Sequence, residues 1–324
     1  MKTKYLLIAL PLVALCACNK EGVETNDTKV ATITATCNED TKTVLDGYTM
    51  TWEANDAIKV SYLPEELSAP TTSAFVIADS WRFDNTSAAG PTAVFSSSTF
   101  PTTPGFADGE TYVAIYPWMD GEQENIMTLV PKSAESTEIA AYRSYIIINK
   151  NQTYNPANSY GLVNGAIPMA ALIKEGTNNF NHNQVSFTSV CAVLKLSLTN
   201  TGSAKTIGKI TVETDNEKRN GLAGKYIIQV SRAEPHFSSR ESGWLSASGA
   251  SNMITLDCGG ATINAGQTKV FSFFVPGTGR NGGLDFGTLT WKVYDEAGDQ
   301  IGADIKSTSV KIQNNRVYTK NATL

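Results

Sequence analysis

From Ala31 onward the chain alternates apolar and polar positions with a period of two, interrupted by clusters of Gly, Pro, Asn and Asp. Ala31 to Cys37 sets Thr between apolar residues, and Tyr48-Thr-Met50-Thr-Trp52 repeats the pattern, which predicts strands with one face turned inward. Asn55-Asp56 reads as a turn into Ile58-Lys-Val60-Ser-Tyr62 and completes a predicted hairpin. Thr111 to Tyr116 is an apolar run stopped by Pro117, as expected of a strand buried on both faces. Further on, Val190, Ala192, Leu194, Leu196 and Leu198 share one face, and Gly202 turns the chain into Ile207 to Val212. Short strands continue at Tyr226 to Val230, Met253 to Cys258, Lys269 to Val275, Leu289 to Tyr294 and Ser309 to Ile312. Helical periodicity is missing beyond a couple of turns, and no solenoid-length repeat occurs, so the pattern predicts an all-β protein built of sandwiches. The polar stretch Glu175 to Gln184 lies between two apolar runs and predicts a division into an N-terminal β-sandwich, 30–177, and a C-terminal one, 178–324.

The first residues follow a different rule. Lys2 and Lys4 precede an apolar run from Tyr5 to Leu15, the layout of a secretory signal peptide over residues 1–17 and too short for a permanent membrane helix. Leu15-Cys16-Ala17-Cys18 resembles a lipobox, which makes Cys18 the predicted lipidation site and the first residue of the mature chain. Leu15 is too large to sit directly before a scissile bond, so Cys16 is the poorer choice. Residues 18–29 are polar and unpatterned, a lipidated tether. The expectation is an outer membrane lipoprotein, held through lipid on Cys18.

Composition narrows the classes. Cleavage before Cys18 leaves 307 of 324 residues, enough for about two domains. A net charge of -5 without any basic run gives a phosphate backbone nowhere to bind, so no nucleic-acid partner is expected. Past the anchor the cysteines are Cys37, Cys191 and Cys258, which allow at most one intramolecular disulfide and read as small buried strand residues. Their spacing suits no metal.

Reactive constellations are missing. Gly277-Thr-Gly279-Arg-Asn-Gly282 matches a bare dinucleotide fingerprint, but Pro276 precedes it and a strand-like segment follows, so no helix N-terminus is predicted there and no cofactor is expected. The two histidines, His182 and His236, sit in polar segments, and no serine has a nucleophile-elbow context. Glu65-Glu66 and Asp295-Glu296 read as solvated turns, with Asp299 too irregularly spaced for a calcium loop. The chain is therefore not expected to be an enzyme. Trp81, Trp118 and Trp244 lie in or beside loops and are candidate glycan-stacking residues, whereas Trp52 and Trp291 alternate with polar neighbours like core residues.

Several strand texts, in order, resemble the fimbrillin-like lipoproteins, the subunits of type V pili of gut and oral anaerobes and their relatives. They are Thr41-Lys42-Thr43, Tyr48 to Trp52 and Asn55 to Val60; Thr111-Tyr-Val-Ala-Ile-Tyr-Pro117; Phe187 to Leu198; Leu222-Ala-Gly224-Lys-Tyr226; and Val310 to Val317. Asn19-Lys20-Glu21 is similar to the tag of some surface-exposed lipoproteins in those organisms. The resemblance implies two tandem transthyretin-like β-sandwich domains and assembly outside the cell, where a protease removes the N-terminal strand and a neighbour's strand fills the groove. Ala31, Thr32, Ile33, Thr34, Ala35 and Thr36 form the candidate displaceable strand, and Ile312 to Leu324 a candidate element of strand exchange. One departure stands out: in pilin relatives activation follows an arginine near the first strands, but the first arginine here is Arg82. Cleavage near Lys29 or Lys42, or an uncut anchor or tip component, are the alternatives. The expected function is that of a structural or accessory subunit of a type V-like pilus, with other subunits or its own polymer as partner and a host protein or glycan as adhesion target. The alternative is a monomeric surface lipoprotein that binds glycans.

Overall fold

A computed structural model describes residues 31–37, 52–101, 110–119, 127–156, 167–174, 181–215, 221–230, 232, 251–277 and 283–324. Among these residues there are strands and turns and no helix. In chain order the first half contains β1 (Ala31–Cys37), β2 (Ala57–Tyr62), β3 (Glu66–Thr71), β4 (Val76–Ala78), β5 (Ser80–Asn85), β6 (Thr92–Ser97), β7 (Thr111–Tyr116), β8 (Met127–Pro131), β9 (Ser136–Ile148), β10 (Asn151–Thr153) and β11 (Met169–Lys174). The second half contains β12 (Asn181–Ser189), β13 (Cys191–Thr199), β14 (Lys205–Thr214), β15 (Gly224–Val230), β16 (Met253–Ile263), β17 (Thr268–Pro276), β18 (Leu284–Asp285), β19 (Leu289–Tyr294), β20 (Ile305–Ser307), β21 (Lys311–Ile312) and β22 (Val317–Thr323). The all-β expectation holds.

The first sheet rolls up completely. Its strands run β1-β12-β11-β7-β2-β5-β6 and close into a barrel where β6 pairs with β1. A second sheet, β15-β9-β8-β4, covers part of the barrel wall, with β3 paired to β9. Two further sheets, β10-β16-β14-β19-β20 and β17-β13-β22, face a common core, and β18 pairs with β21 in a short ribbon. Among the described residues, pairing crosses the 177/178 division at four places: β12 with β1, β12 with β11, β15 with β9, and β10 with β16. Asn181 to Gln184, read from the sequence as part of a polar connection, lie inside β12.

Two cores result. The barrel interior holds Ile33, Trp52, Ile58, Phe83, Phe95 and Phe187, all at most 2% exposed. The second core gathers the other sheets and also takes side chains from the outside of the barrel, among them Leu63, Val113, Ile115 and Ala170. This explains β7: Tyr112, Ala114 and Tyr116 enter the barrel while Val113 and Ile115 enter the other core, so every residue of the strand is buried. The sequence run stopped by Pro117 carries that signature.

Turn chemistry follows the same economy. A Cβ on Gly208 would sit 2.4 Å from the carbonyl oxygen of Asp295, so glycine there lets the β19–β20 hairpin lie directly on a bulge of β14. Beyond Gly277, where a dinucleotide site would need a helix, the chain enters strand β18 at Leu284.

Candidate functional site

The barrel seam is the feature that the fold builds most deliberately. β1 lies between two strands remote in sequence, antiparallel to β6 with Ala31 opposite Ser97 and Thr36 opposite Thr92, and parallel to β12 with Thr36 opposite Ser186. The alternation read in the sequence decides its orientation: Ala31, Ile33 and Ala35 are 0% exposed in the barrel, and Thr32, Thr34 and Thr36 point outward and are half-buried. Ile33 lies across from Phe95, and Ala35 across from Ala93 on one side and Val185 on the other. Beneath them Trp52 meets Phe95, Phe187 and Tyr116 edge-on at 5.0, 5.1 and 5.3 Å between ring centroids. That geometry lets aromatic rings fill a barrel interior without stacking face to face.

The seam strand is light. Two of the three inward positions whose side chains are described are alanine, so their burial contributes on the order of a few kcal/mol, with Ile33 supplying about 1.5–3 of that. The backbone ladders on both sides supply the rest of its hold. Taking β1 out would leave two unpaired strand edges flanking a slot lined by Phe95, Val185 and Phe187.

The tryptophans behave differently from one another. Trp81 and Phe83 point into the barrel from β5, where Trp81 packs edge-on against Phe100 at 4.8 Å. Arg82, between them and on the opposite face, spreads its guanidinium over the Trp118 ring at 5.6 Å. The two rings therefore do not form one platform. Trp244, Cys18, His236 and the side chains of Cys37 and His182 lie outside the described residues. Cys191 and Cys258 are free thiols in the core; burial pushes Cys191 well above its ordinary range and Cys258 up to about 12. Both are inert packing residues at neutral pH. Among the described residues no group of three or more His, Cys, Asp or Glu side chains gathers around a common point. Asp295 and Asp299 close a hairpin turn, the amide of Asp299 donating to Asp295 Oδ1 at 2.9 Å.

One arrangement escaped the sequence. Lys59 alternates with Ile58 and Val60 like a solvated strand residue, yet it is 1% exposed, on the outer wall of the barrel beneath β9, where its amine donates to Ser144 Oγ. Burial, with a smaller effect from the charge of Lys225, lowers its pKa from 10.5 to about 7. The signal was hidden because the covering sheet is assembled from residues far away in the chain.

No family model matches this chain, and no curated protein matches it. Solved structures do resemble its fold. One is a candidate cell adhesion protein of Bacteroides ovatus, 12% identical over 90% of this chain and 91% of that one, at a TM-score of 0.49. A second candidate cell adhesion protein, from Bacteroides uniformis, is 12% identical over 91% and 94% of the two chains at a TM-score of 0.45. The tip fimbrial protein Mfa3 of Porphyromonas gingivalis, with C-terminal truncation, is 9% identical over 90% and 94% at a TM-score of 0.32. These three are adhesion and fimbrial proteins of Bacteroidales. At these identities the likeness is one of all-β layout.

Proposed function

We propose that this chain is a structural or accessory subunit of a cell-surface, type V-like pilus, tethered by lipid on Cys18 until it assembles and joined to other subunits by strand exchange. The observation that carries this reading is the seam: β1, the first strand among the described residues, is held between β6 and β12 by two ladders and by the small or medium apolar side chains Ala31, Ile33 and Ala35. A slot with two open strand edges and alternating apolar pockets is what an incoming strand satisfies, its backbone completing both ladders and its alternate side chains refilling the interior. With alanine at two pocket positions, the chain loses little side-chain burial when β1 leaves. The resemblance in the strand texts supports the same reading, as does the predicted export signal. Adhesion then follows from polymer or tip display.

The test is a pair of gels. Producing cells, solubilised unheated and boiled, are probed with antibody to residues 251–324; the expected result is a ladder that collapses only on boiling. Thr34 and Val94 face each other across β1 and β6. The pair Thr34→Cys and Val94→Cys should lock the seam and erase the ladder under oxidising conditions, and reductant should restore it. A ladder that persists with the seam locked would sink strand exchange at β1.

A further inference from the structure

An antiparallel sheet with one face on the core normally turns a polar face to water. The β16-β14-β19 portion of the third sheet largely obeys: its outward positions include Lys209, Glu213, Asp257 and Lys292, with Met253 the exposed apolar side chain among them. The β4-β8-β9-β15 sheet does not. Its inner positions, such as Leu129, Ile146 and Ile228, belong to the core, so the register places Ile77, Thr128, Arg143 and Gln229 in one outward row, Tyr145 and Ile227 in the next, and Ile147 and Lys225 beyond. Phe75, Ile77 and Ile147 are 55%, 59% and 37% exposed, three of the four large apolar side chains that are exposed among the described residues. These rows contain no aspartate or glutamate, and the Lys225 amine lies 4.2 Å from the centre of the Tyr145 ring. Exposed aliphatics beside Tyr and Arg, without carboxylates, are the composition of a protein interface rather than of a free surface.

We propose that this face docks a second copy of the chain, which presents the acidic hairpin between β19 and β20. Two identical faces set against each other would oppose Arg143 to Arg143 and Lys225 to Lys225, which disfavours a symmetric pair. The chain itself carries a net charge of -5, and the hairpin concentrates Asp295, Glu296, Asp299 and Asp304 within ten residues. Glu296, Asp299 and Asp304 are exposed. The hairpin is held ready for contact: the amide of Asp295 donates to the carbonyl of Asp299 at 2.9 Å, the reverse side-chain bond is as short, and the Asp295 carbonyl rests against Gly208. Joining a basic, apolar face to an acidic hairpin uses two different surfaces, so each copy can receive one neighbour and present to another. This association leaves β1 in its barrel and is broken by salt, unlike strand exchange.

The experiment is sedimentation equilibrium of the mature chain with β1 in place, at about 20 mM and about 500 mM salt. The expected result is concentration-dependent association at low salt that falls at least tenfold in affinity at high salt. Ile77→Asp and Arg143→Glu, both outward on the sheet, should each give a monomer with unchanged circular dichroism, and so should the double variant Glu296→Lys, Asp299→Lys. Mixing the Arg143→Glu chain with the hairpin double variant should restore association, because each then meets its opposite charge. A parent chain that stays monomeric at low salt, an Ile77→Asp chain that associates like the parent, or a mixture that fails to associate would overturn the proposal. None of these outcomes bears on the heat-sensitive ladder, so the two readings fail separately.

Discussion

Lys59 is a cation stored where a cation is least at home. The groups that face it are the Ser144 hydroxyl on β9 and, from β15, the Lys225 charge, neither of which compensates it. With a folded pKa of about 7 against an ordinary 10.5, the unfolded chain holds a proton that the folded chain lacks between those two values. Stability therefore rises with pH across that window, by about 1.4 kcal/mol per pH unit from this group, and is flat below it. Lys59→Met keeps the length of the side chain and removes the charge. It should abolish that slope in the variant, so that the variant's advantage over the parent shrinks as pH rises above 7, and it should stabilise the protein at pH 6 by about 1–4 kcal/mol, less the cost of leaving Ser144 Oγ without this donor. Thermal unfolding of both proteins at pH 6, 8 and 10 checks it; a constant difference across the three would refute the lowered pKa. The same stem explains why a polar residue was kept: an amine at this depth ties the barrel wall to the sheet above it through one hydrogen bond.

At the scale of elements, the seam strand sets the behaviour of the barrel. Ile33→Asp would place a carboxylate in an interior of aromatic rings, at a cost of several kcal/mol. The expected result is a large fall in the urea midpoint and loss of the near-ultraviolet signal from the Trp52 cluster, with Thr34→Asp on the outward face nearly neutral. Equal effects of the two would mean that β1 does not face inward as described. The inward set itself was legible in the sequence, since alternation in Ala31 to Cys37 fixes which side chains share a face. So was the doubly buried β7. What local pattern could not supply was the partner of each strand: nothing in Asn181 to Ser189 says that it will lie parallel to residues about 150 positions earlier. For the same reason the sequence places Trp81 in or beside a loop, although β5 turns it into the barrel beside Phe100. Lys59 looked solvated because the sheet that buries it is likewise a matter of distant pairing.

At the scale of the molecule, the pairings that cross residue 178 make the two halves depend on each other. A chain of residues 18–177 lacks β12 and cannot close its barrel; a chain of 178–324 carries β12 and β15 without their partners β1 and β9. Expressed separately, each half should be far more sensitive to limited proteolysis than the intact protein, and mixing them should restore protection. Two independently resistant halves would show that the crossing pairs contribute little. The outward faces belong to this scale too, because only the assembled sheets reveal that one is polar and another is not.

The parallel contact between Thr36 and Ser186 also carries a timetable. Chains are made from the N-terminus, so β1 is among the first segments to emerge, yet its second ladder has to wait until β12 arrives. During that interval β1 has only β6 to hold it, and the barrel stands open along one side. Contacts so distant along the chain form slowly, because loop closure has to be met before the contact rewards it. The nascent chain thus passes through a stage in which β1 is held on one side alone, and any factor that acts on that strand has its best opportunity before the last residues have emerged.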